Sequence, residues 1–395
     1  MCTDFTTDFI ALSAFKVGSF EQVENEDWVI HLDPVSSATP CPVCQLPSTN
    51  HARPGRRRLW HRHVPGWRNV FVTVPTWRQR CDACLLTFTV DWPGIPVRGQ
   101  VTDSFRRMCV ARCHGRDIAS VSREIGVKYS TLERWYYQEA EKLVPNAKEY
   151  HAPSAVCLDE FALQKGHKYG INLMDADTGH VWQVTPGRSG KQVQEALNAW
   201  PFTKPPKVVV TDLAPGMADT VKQVWPKSTV VADKFHVLQL FGKSLEARRK
   251  LHSASDNHKR GRHEQRLLHK EPDALKEEEQ QELKEWLDKD PALKELHGSL
   301  QSLRAVYRNT TPEAGRAAFE SWLQTYQWST SNPVKRIAKT LLQWRDAIES
   351  YFLYRYTNAK IEGTHNKIKV LKRRAYGYRN LHRFALRIRL ECKAA

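Results

Sequence analysis

The sequence contains no long apolar run: none of its hydrophobic stretches reaches the ~18 residues that a membrane-spanning helix needs. Its opening segment, MCTDFTTDFIALSAF, lacks the basic start of a secretory signal and carries acids instead. These absences exclude the membrane-spanning class and predict a cytoplasmic protein with no membrane partner. Because thiols stay reduced in that compartment, the nine cysteines favour metal binding over disulfides.

Acidic residues are in deficit. The chain of 395 residues has 43 Asp and Glu against 60 Lys and Arg, a formal net charge of +17. Such a balance indicates a polyanionic partner, most simply nucleic acid, although a merely soluble basic surface is the alternative. The length allows about two to four domains with ample core.

Four cysteines form two CxxC pairs, CPVC and CDAC. Four thiolates at this spacing, Cys41, Cys44, Cys81 and Cys84, can hold one structural zinc ion tetrahedrally. Two redox pairs or unliganded thiols are the competing interpretations. Between the pairs lies RPGRRRLWHRHVPGWRNVFVTVPTWRQR, which contains no acid. Arginines interleaved with aromatics are typical of a DNA-binding surface, here Arg56, Arg57, Arg58 and Trp60, whereas a solvated loop is the alternative.

A helix-turn-helix is predicted in RDIASVSREIGVKYSTLERWYYQEAEKL, after a linker DWPGIPVRG and a short helix. Gly126 marks the turn, and Ser130 is expected to cap the second helix. The side chains expected to face a DNA groove are Tyr129, Thr131 and Arg134. The pattern also arises by chance in amphipathic helix pairs, so its position beside a basic zinc module strengthens the interpretation.

The segment from Ser154 to His236 reads as strand–strand–strand–helix–strand–helix–strand. This order is what a ribonuclease-H-like core requires. Two apolar runs, Val156–Leu158 and Val208–Val210, stop at or just before Asp159 and Asp212, as expected for buried strands ending at a sheet edge. Asp233 follows the next strand and competes with Asp212, which lies nearer the centre of the edge.

After this segment the chain is helical in pattern to about residue 354, and a basic tail follows. On a helix, Asn358, Glu362, Asn366 and Lys369 would share one face, while Ala359, Ile368 and Leu371 could pack on the sheet. Glu362 is the best third carboxylate, although a solvated polar face is the alternative. Three carboxylates on one edge suit two magnesium ions and phosphoryl transfer. The residues predicted to hold phosphates are Asn366, Lys369, Lys372, Arg373 and Arg374.

The motifs LDEFALQKG, VVVTDLAPGM, VADKFHVLQL and TNAKIEGTHNKIKVLKRRAYGYRN, with the cysteine pairs and the helix-turn-helix, resemble the DDE transposases of bacterial insertion sequences, specifically the ISL-three family. The resemblance covers nearly the whole chain. It implies that Asp159, Asp212 and Glu362 are catalytic, that magnesium (or manganese) is required, and that Asp233 and His236 support the core. It further implies cleavage at terminal inverted repeats, strand transfer to double-stranded target DNA, and a homodimer on DNA.

The predicted fold is therefore a multidomain α/β protein with a ribonuclease-H-like (retroviral-integrase-like) core. Its predicted parts are a zinc-binding DNA-recognition module (1–98), a helix-turn-helix (99–150), the first part of the core (151–236), an all-helical insertion domain (237–354) and the last core helix with the basic tail (355–395). In the insertion, Trp322 and Trp344 are expected in the core and Trp328 against DNA.

Two other functions remain open on the sequence alone. A ribonuclease-H-like nuclease would cut DNA without strand transfer. A non-catalytic zinc and helix-turn-helix regulator would leave the three acids and more than half of the chain unexplained.

Overall fold

The computed structural model describes residues 10–23, 27–50, 55–63, 69–164, 168–214, 216–252 and 258–392. The chain divides into two compact units, Met1–Glu141 and Lys142–Ala395. The five predicted segment boundaries stay predictions. Within the described ranges, no helix combines the length and the apolar character needed to cross a membrane.

In the part of the first unit that the structure describes, seven strands form two sheets. They are β1 (Phe15–Gln22), β2 (Trp28–Pro34), β3 (Thr49–Asn50), β4 (Gly55–His63), β5 (Asn69–Thr76), β6 (Arg78–Arg80) and β7 (Thr87–Thr89). One sheet has the order β1-β2-β5-β4 and the other β3-β6-β7. Alternate residues of β5, including Val70, Val72 and Val74, are buried in one core with Leu32 and Leu59, because successive strand side chains face opposite sides.

The described residues that follow these strands form three helices, α1 (Asp103–Cys113), α2 (Ile118–Ile125) and α3 (Tyr129–Leu143). The Asp117 carboxylate accepts a hydrogen bond from the Ser120 N–H at 2.7 Å and so caps α2. Gly126 ends α2 at a φ of 85°, a left-handed conformation that favours glycine. The predicted helix–turn–helix is therefore present. Ser130 was the wrong cap, because α3 already begins at Tyr129.

The second unit is built on a mixed five-stranded sheet. Its strands are β8 (Ala155–Gln164), β9 (Lys168–Asp175), β10 (Val181–Pro186), β11 (Val208–Thr211) and β12 (Thr229–Ala232), in the order β10-β9-β8-β11-β12. β8, β11 and β12 are parallel, whereas β9 is antiparallel to both of its neighbours. All four residues of β11 are buried, as expected for a central parallel strand. The element order over this segment is the predicted one.

The helices α4 (Gly190–Asn198) and α5 (Met217–Val224) connect β10 to β11 and β11 to β12. Ser189 and Gln192 form a capping box at the start of α4. Near the end of the chain, α13 (Ala359–Arg374) packs against β8, and α14 (Leu381–Glu391) packs against β10.

Between β12 and α13, the described residues form helices and one 3₁₀ turn, Pro272–Ala274. The helices are α6 (Lys234–His252), α7 (His258–His269), α8 (Glu277–Lys289), α9 (Pro291–Arg308), α10 (Pro312–Tyr326), α11 (Asn332–Gln343) and α12 (Arg345–Tyr354). Thr311 caps α10 as its hydroxyl accepts from the Ala314 N–H. Ser331 is the N-cap of α11, and Pro333 lies in its first turn. This helical block shares one hydrophobic core with the sheet.

Candidate active site and cysteine cluster

Asp159 and Asp212 follow paired residues of neighbouring parallel strands. The β8–β11 pairing ends with Leu158 opposite Thr211, and the two acids come next in each chain segment. β8 does not stop at Asp159 as expected. It continues to Gln164 paired with β9 alone, so Asp159 lies in mid-strand at the point where its neighbour β11 has ended. Both carboxylates therefore lie at the carboxyl edge of the parallel pair.

Burial and like charge act together on Asp159, which is 7% exposed. Burial, together with the negative charges of Asp212 and Asp233, raises the pKa of this carboxyl to about 7, against the opposing effect of a hydrogen bond that its Oδ1 accepts from the Glu160 N–H at 2.7 Å. Ionisation here is penalised by the surroundings. A divalent cation would remove that penalty, so the residues at this edge fit a metal of that kind.

Asp233 joins three parts of the second unit. It directly follows β12 and is 1% exposed. One carboxylate oxygen accepts hydrogen bonds from the His236 N–H (3.2 Å) and Nδ1 (3.0 Å), and the other accepts from the Asn358 N–H at 2.8 Å. Burial alone would raise the pKa of Asp233, but these hydrogen bonds outweigh it and the pKa is lowered. Asp233 thus attaches the start of α13 to the end of the sheet.

The helix that carries Glu362 buries two of the three residues expected to pack on the sheet, Ile368 and Leu371. Its buried residues are Ile361, Thr364, His365, Ile368 and Leu371. Ala359, predicted to pack on the sheet, is exposed, and Asn358, predicted to share a face with Glu362, is fully buried. Glu362 is partly exposed. A Cβ added at the neighbouring Gly363 would meet no atom within 4 Å, so the space beside Glu362 is open.

Helix α13 brings His365, one turn after Glu362, to 3.8 Å from the Asp159 Oδ2. Among the described residues, the cluster of His, Cys, Asp or Glu side chains close enough to share one ion is formed by cysteines. The three acids do not meet at that spacing. A two-ion site does not require its carboxylates to lie that close together, because its ions are ~3.5–4 Å apart and the carboxylates that bind different ions are correspondingly farther from one another.

Two residues near Asp159 escaped the sequence analysis. Asn172 is opposite Asp159 on β9, so the two side chains share a face of the sheet. Asn172 is fully buried and neither amide atom has a hydrogen-bond partner, and the buried Nε2 of His365 also has none. Burial lowers the pKa of His365 to about 4, so its ring is neutral. The GTH in IEGTHN was the available signal: a histidine three residues after Glu362 lies on an adjoining helix face.

The four cysteines come together in the first unit, with all Sγ atoms within 4.8 Å of one another. Sγ–Sγ distances are 3.6 Å for Cys41–Cys84, 3.4 Å for Cys44–Cys81 and 3.8 Å for Cys44–Cys84. A tetrahedral zinc with Zn–S near ~2.3 Å places its sulfurs about 3.8 Å apart. The cluster is therefore compatible with zinc, and all four thiols are free.

The two cysteine turns have the same backbone form. Gln45 and Leu85, each directly after a second cysteine, have φ of 62° and 58°. The Cys41 and Cys81 N–H groups donate to the Leu46 and Leu86 carbonyls. The Cys44 N–H also points to the Cys41 sulfur and, with the Val43 N–H, lowers the pKa of that thiol to about 7. The turns thus favour thiolate, the form that binds metal, at the first cysteine of each pair, Cys41 and Cys81, whereas the neighbouring sulfurs raise the pKa of Cys44 and Cys84.

The predicted arginine surface is only partly free. Arg56 pairs with Asp33 at 3.3 Å, and Arg57 donates to the Val97 and Pro96 carbonyls. Arg58 is exposed with its guanidinium 4.0 Å from the Phe71 ring centre. Trp60 is half-buried: its ring stacks on Phe105 (4.8 Å) and Phe71, and its indole nitrogen is buried, so packing takes up part of its surface and its contact with DNA stays a prediction.

The remaining predicted DNA contacts lie on two helices. On α3, Tyr129 and Arg134 are exposed and Thr131 is partly so, with the Tyr129 hydroxyl donating to Glu133 at 3.0 Å. On α13, Asn366, Lys369 and Arg373 are exposed. Lys372 donates to the Ala162 carbonyl at 2.8 Å, and Arg374 lies 3.8 Å from Glu391. In the helical block Trp322 is buried and donates to the Ser299 carbonyl, whereas Trp328 is 77% exposed.

The second unit therefore defines a class: an α/β protein with acids gathered at the carboxyl edge of a mixed sheet. The model of the ISL-three family of DDE transposases, described as "Transposase", matches residues 156–388. The chain belongs to this family, as its motifs indicated. Membership implies a ribonuclease-H-like core, DNA as the partner, divalent metal, and cleavage or transfer of DNA.

Curated relatives agree with the family. The transposase for insertion sequence element IS1001 of Bordetella parapertussis is 25% identical over 377 residues, 91% of this chain and 90% of its own length. The transposase for insertion sequence element IS1557 of Mycobacterium tuberculosis is 25% identical over 252 residues, 56% of each chain.

Proposed function

We propose that this protein binds the terminal inverted repeats of an insertion sequence, cuts DNA there and joins the freed 3′ ends to a target duplex. The observation that supports the proposal most is the juxtaposition of Asp159 and Asp212 at the edge of β8 and β11, with the α13 helix attached beside them through Asp233. Asp159, Asp212 and Glu362 are the residues that would hold magnesium. When bound, the metal would activate the attacking oxygen and stabilise the leaving 3′ oxygen.

The chain's own residues would prepare this reaction in stages. Exposed side chains of α3 would read the repeat in the major groove. Lys369 and Arg373, exposed on the same helix as Glu362, would hold phosphates near the cut. Asp233 would keep Glu362 in place by fixing the start of α13. The four cysteines would hold one structural zinc ion and thereby the fold of the N-terminal module.

Two further features belong to the proposal on the strength of the chemistry. Two transposon ends must be cut and joined together, so we propose a homodimer on DNA. The freed 3′-hydroxyl would then be the nucleophile in a second round at the same acids. The open space beside Gly363 would let the phosphate backbone approach Glu362 closely.

The test uses labelled duplexes carrying the inverted repeat. In Mg²⁺ the wild-type protein should nick at the repeat end and join that end to a second duplex. Asp159→Asn, Asp212→Asn and Glu362→Gln should each abolish nicking while duplex affinity stays within about threefold.

The matched control is Asp273→Asn, because Asp273 is an exposed acid in the helical block with a side chain 87% exposed. Nicking without joining would indicate a nuclease. Binding without nicking in the wild type would indicate a DNA-binding regulator and refute the proposal.

A further inference from the structure

A cavity of about 990 Å³ lies directly beside the acids of the second unit. Asp212 and His236 form one side, and the helices α6, α7 and α9 form the rest through residues such as Gly242, His269 and Arg304. Pockets of ~300–1,000 Å³ commonly enclose small organic molecules. The transposition chemistry proposed above does not by itself require a cavity, since a cut phosphate needs only the edge of the sheet.

The exposed aromatic ring of Phe235 lines this cavity. Phe235 is 53% exposed, although it lies between Asp233 and His236, which are held by hydrogen bonds. Its ring centre is 5.8 Å from that of His236, at an interplanar angle of 85°. An exposed phenyl ring loses the stabilisation that burial would give it. Beside groups that act on DNA, its uncovered face is suited to stacking on a nucleobase.

A glycine inside α6 keeps the cavity open. Gly242 lines the cavity in the middle of a 19-residue helix, where glycine is less favourable than alanine. A Cβ at this position would meet only the His269 Cε1 within 4 Å, at an ordinary contact distance of 3.6 Å. Neither the backbone nor the packing requires glycine here. The consequence of its missing side chain is volume in the cavity.

Several polar groups around the ring can pair with a nucleotide, and the one carboxylate added to the lining by α6, Glu246, is paired with Arg249 at 2.8 Å. Gln239 and Lys243 follow Phe235 at intervals of four residues, so the three lie along one face of α6, and all are exposed. Gln239 can pair with a base edge, and Lys243 can pair with phosphate. His269 lies across the cavity. Burial and the nearby Arg304 lower its pKa, so the neutral ring can both donate and accept.

We propose that this cavity receives one unstacked nucleobase of the DNA end, stacked on Phe235, while the acids act on the adjoining phosphate. The proposal rests on the proposed function and adds to it the way in which a duplex end is opened at the cut. Trp328, the aromatic residue predicted from the sequence for such a contact, does not line this cavity and remains a separate candidate.

The test compares cleavage of paired and mismatched ends by the full-length protein in Mg²⁺. Phe235→Ala removes the stacking partner, and Gly242→Met fills the cavity. Each should reduce the single-turnover cleavage rate on paired DNA by roughly 5- to 150-fold, the loss expected for one base–aromatic contact. Duplex affinity should change by less than about threefold.

A mismatch at the base pair next to the cut lowers the cost of unpairing. It should therefore restore most of the rate in Phe235→Ala, and Phe235→Trp should recover activity relative to the alanine variant. Leu353→Ala is the matched control, because Leu353 is an apolar side chain 52% exposed on α12 and does not line the cavity. Gly242→Ala should raise the thermal midpoint, which verifies that the helix itself tolerates a side chain.

The outcomes separate this inference from the function on which it rests. If the wild type cuts its ends and both cavity variants cut paired DNA at the wild-type rate, the nucleobase site is refuted and the transposase function stands. If both variants lose duplex affinity as much as rate, the cavity is a surface for the intact duplex, and the inference is also refuted. A wild type that binds the ends but never cuts them refutes both.

Discussion

Replacing Asp233 tests the link between the sheet and the helix that carries Glu362. The carboxylate is 1% exposed and accepts three hydrogen bonds, two from His236 and one from the Asn358 N–H. In Asp233→Ala the Asn358 N–H stays buried without a partner, and His236 loses its counterion. Removal of one partner from a buried pair costs about 3–5 kcal/mol.

For a unit of this size each kcal/mol shifts the thermal midpoint by about 2–4 °C. We therefore expect the midpoint to fall by about 6–20 °C. Because the pKa of Asp233 is lowered in the folded protein, its contribution is complete above its ordinary value of 3.8 and is lost as the pH falls below that value. The difference between wild type and variant should thus shrink in stronger acid. It should also shrink as the pH rises past the pKa of His236, which Asp233 raises above its ordinary value, because the imidazole then loses the charge that pairs with the carboxylate.

The assay is calorimetric or circular-dichroism melting, together with single-turnover nicking at a temperature where both proteins are folded. Nicking should fall much more than duplex binding, because Glu362 lies one turn from the lost anchor. Asp273→Ala supplies the exposed-acid control. A midpoint within about 2 °C of wild type for Asp233→Ala would show that the three hydrogen bonds do not stabilise the fold and would refute the reasoning.

The remaining predictions concern metals and packing. Elemental analysis should find one zinc per chain. Cys44→Ser or chelation should unfold the N-terminal module while the second unit still melts cooperatively. A metal-free protein of equal stability would contradict this prediction. Asp159 has a pKa of about 7 and must lose its proton before it can bind a cation. The Mg²⁺ concentration for half-maximal nicking should therefore rise up to tenfold per pH unit below pH 7. If that concentration does not change with pH, Asp159 is not a ligand. Trp60→Ala should destabilise the first unit by about 3 kcal/mol, since its ring packs on Phe105 and Phe71, and weaker DNA binding at unchanged stability would support the role predicted from sequence.

The sequence predicted the sheet well because its strands carry strong local patterns. Val208–Val210 is apolar throughout and is buried on both faces, and the order of strands and helices from β8 to β12 was read correctly. The two helices and the turn between them were also predicted correctly, because Gly126 and the spacing of apolar residues mark them. The spacing of the two CxxC pairs also predicted that the four cysteines lie together.

Apart from the Ser130 cap, the errors arose where tertiary contacts determine the structure. Nothing local indicates that β8 continues past Asp159, because only pairing with β9 extends it. The exposed and buried faces of α13 were misjudged at Asn358 and Ala359, since Asp233, 125 positions earlier, fixes the start of that helix. The packing of Trp60 on Phe71 and Phe105 likewise depends on tertiary contacts, and its contact with DNA stays a prediction. Asn172 and His365 were missed because only the tertiary structure brings them next to Asp159.

The hydrogen bond between Asp233 and Asn358 has a further consequence for the helical block. It joins two residues 125 positions apart, so the chain leaves the sheet and returns to it at nearly the same point. Closing a loop becomes only slightly harder as it grows, by about 0.6 kcal/mol per doubling of length. Helical segments of very different size could therefore be accommodated between β12 and α13 without moving the acids. The helical block is held to the sheet by packing, because Phe241 and Trp322 belong to the same hydrophobic core as the strands. A shorter segment in its place would therefore have to bury the apolar surface that these helices now cover.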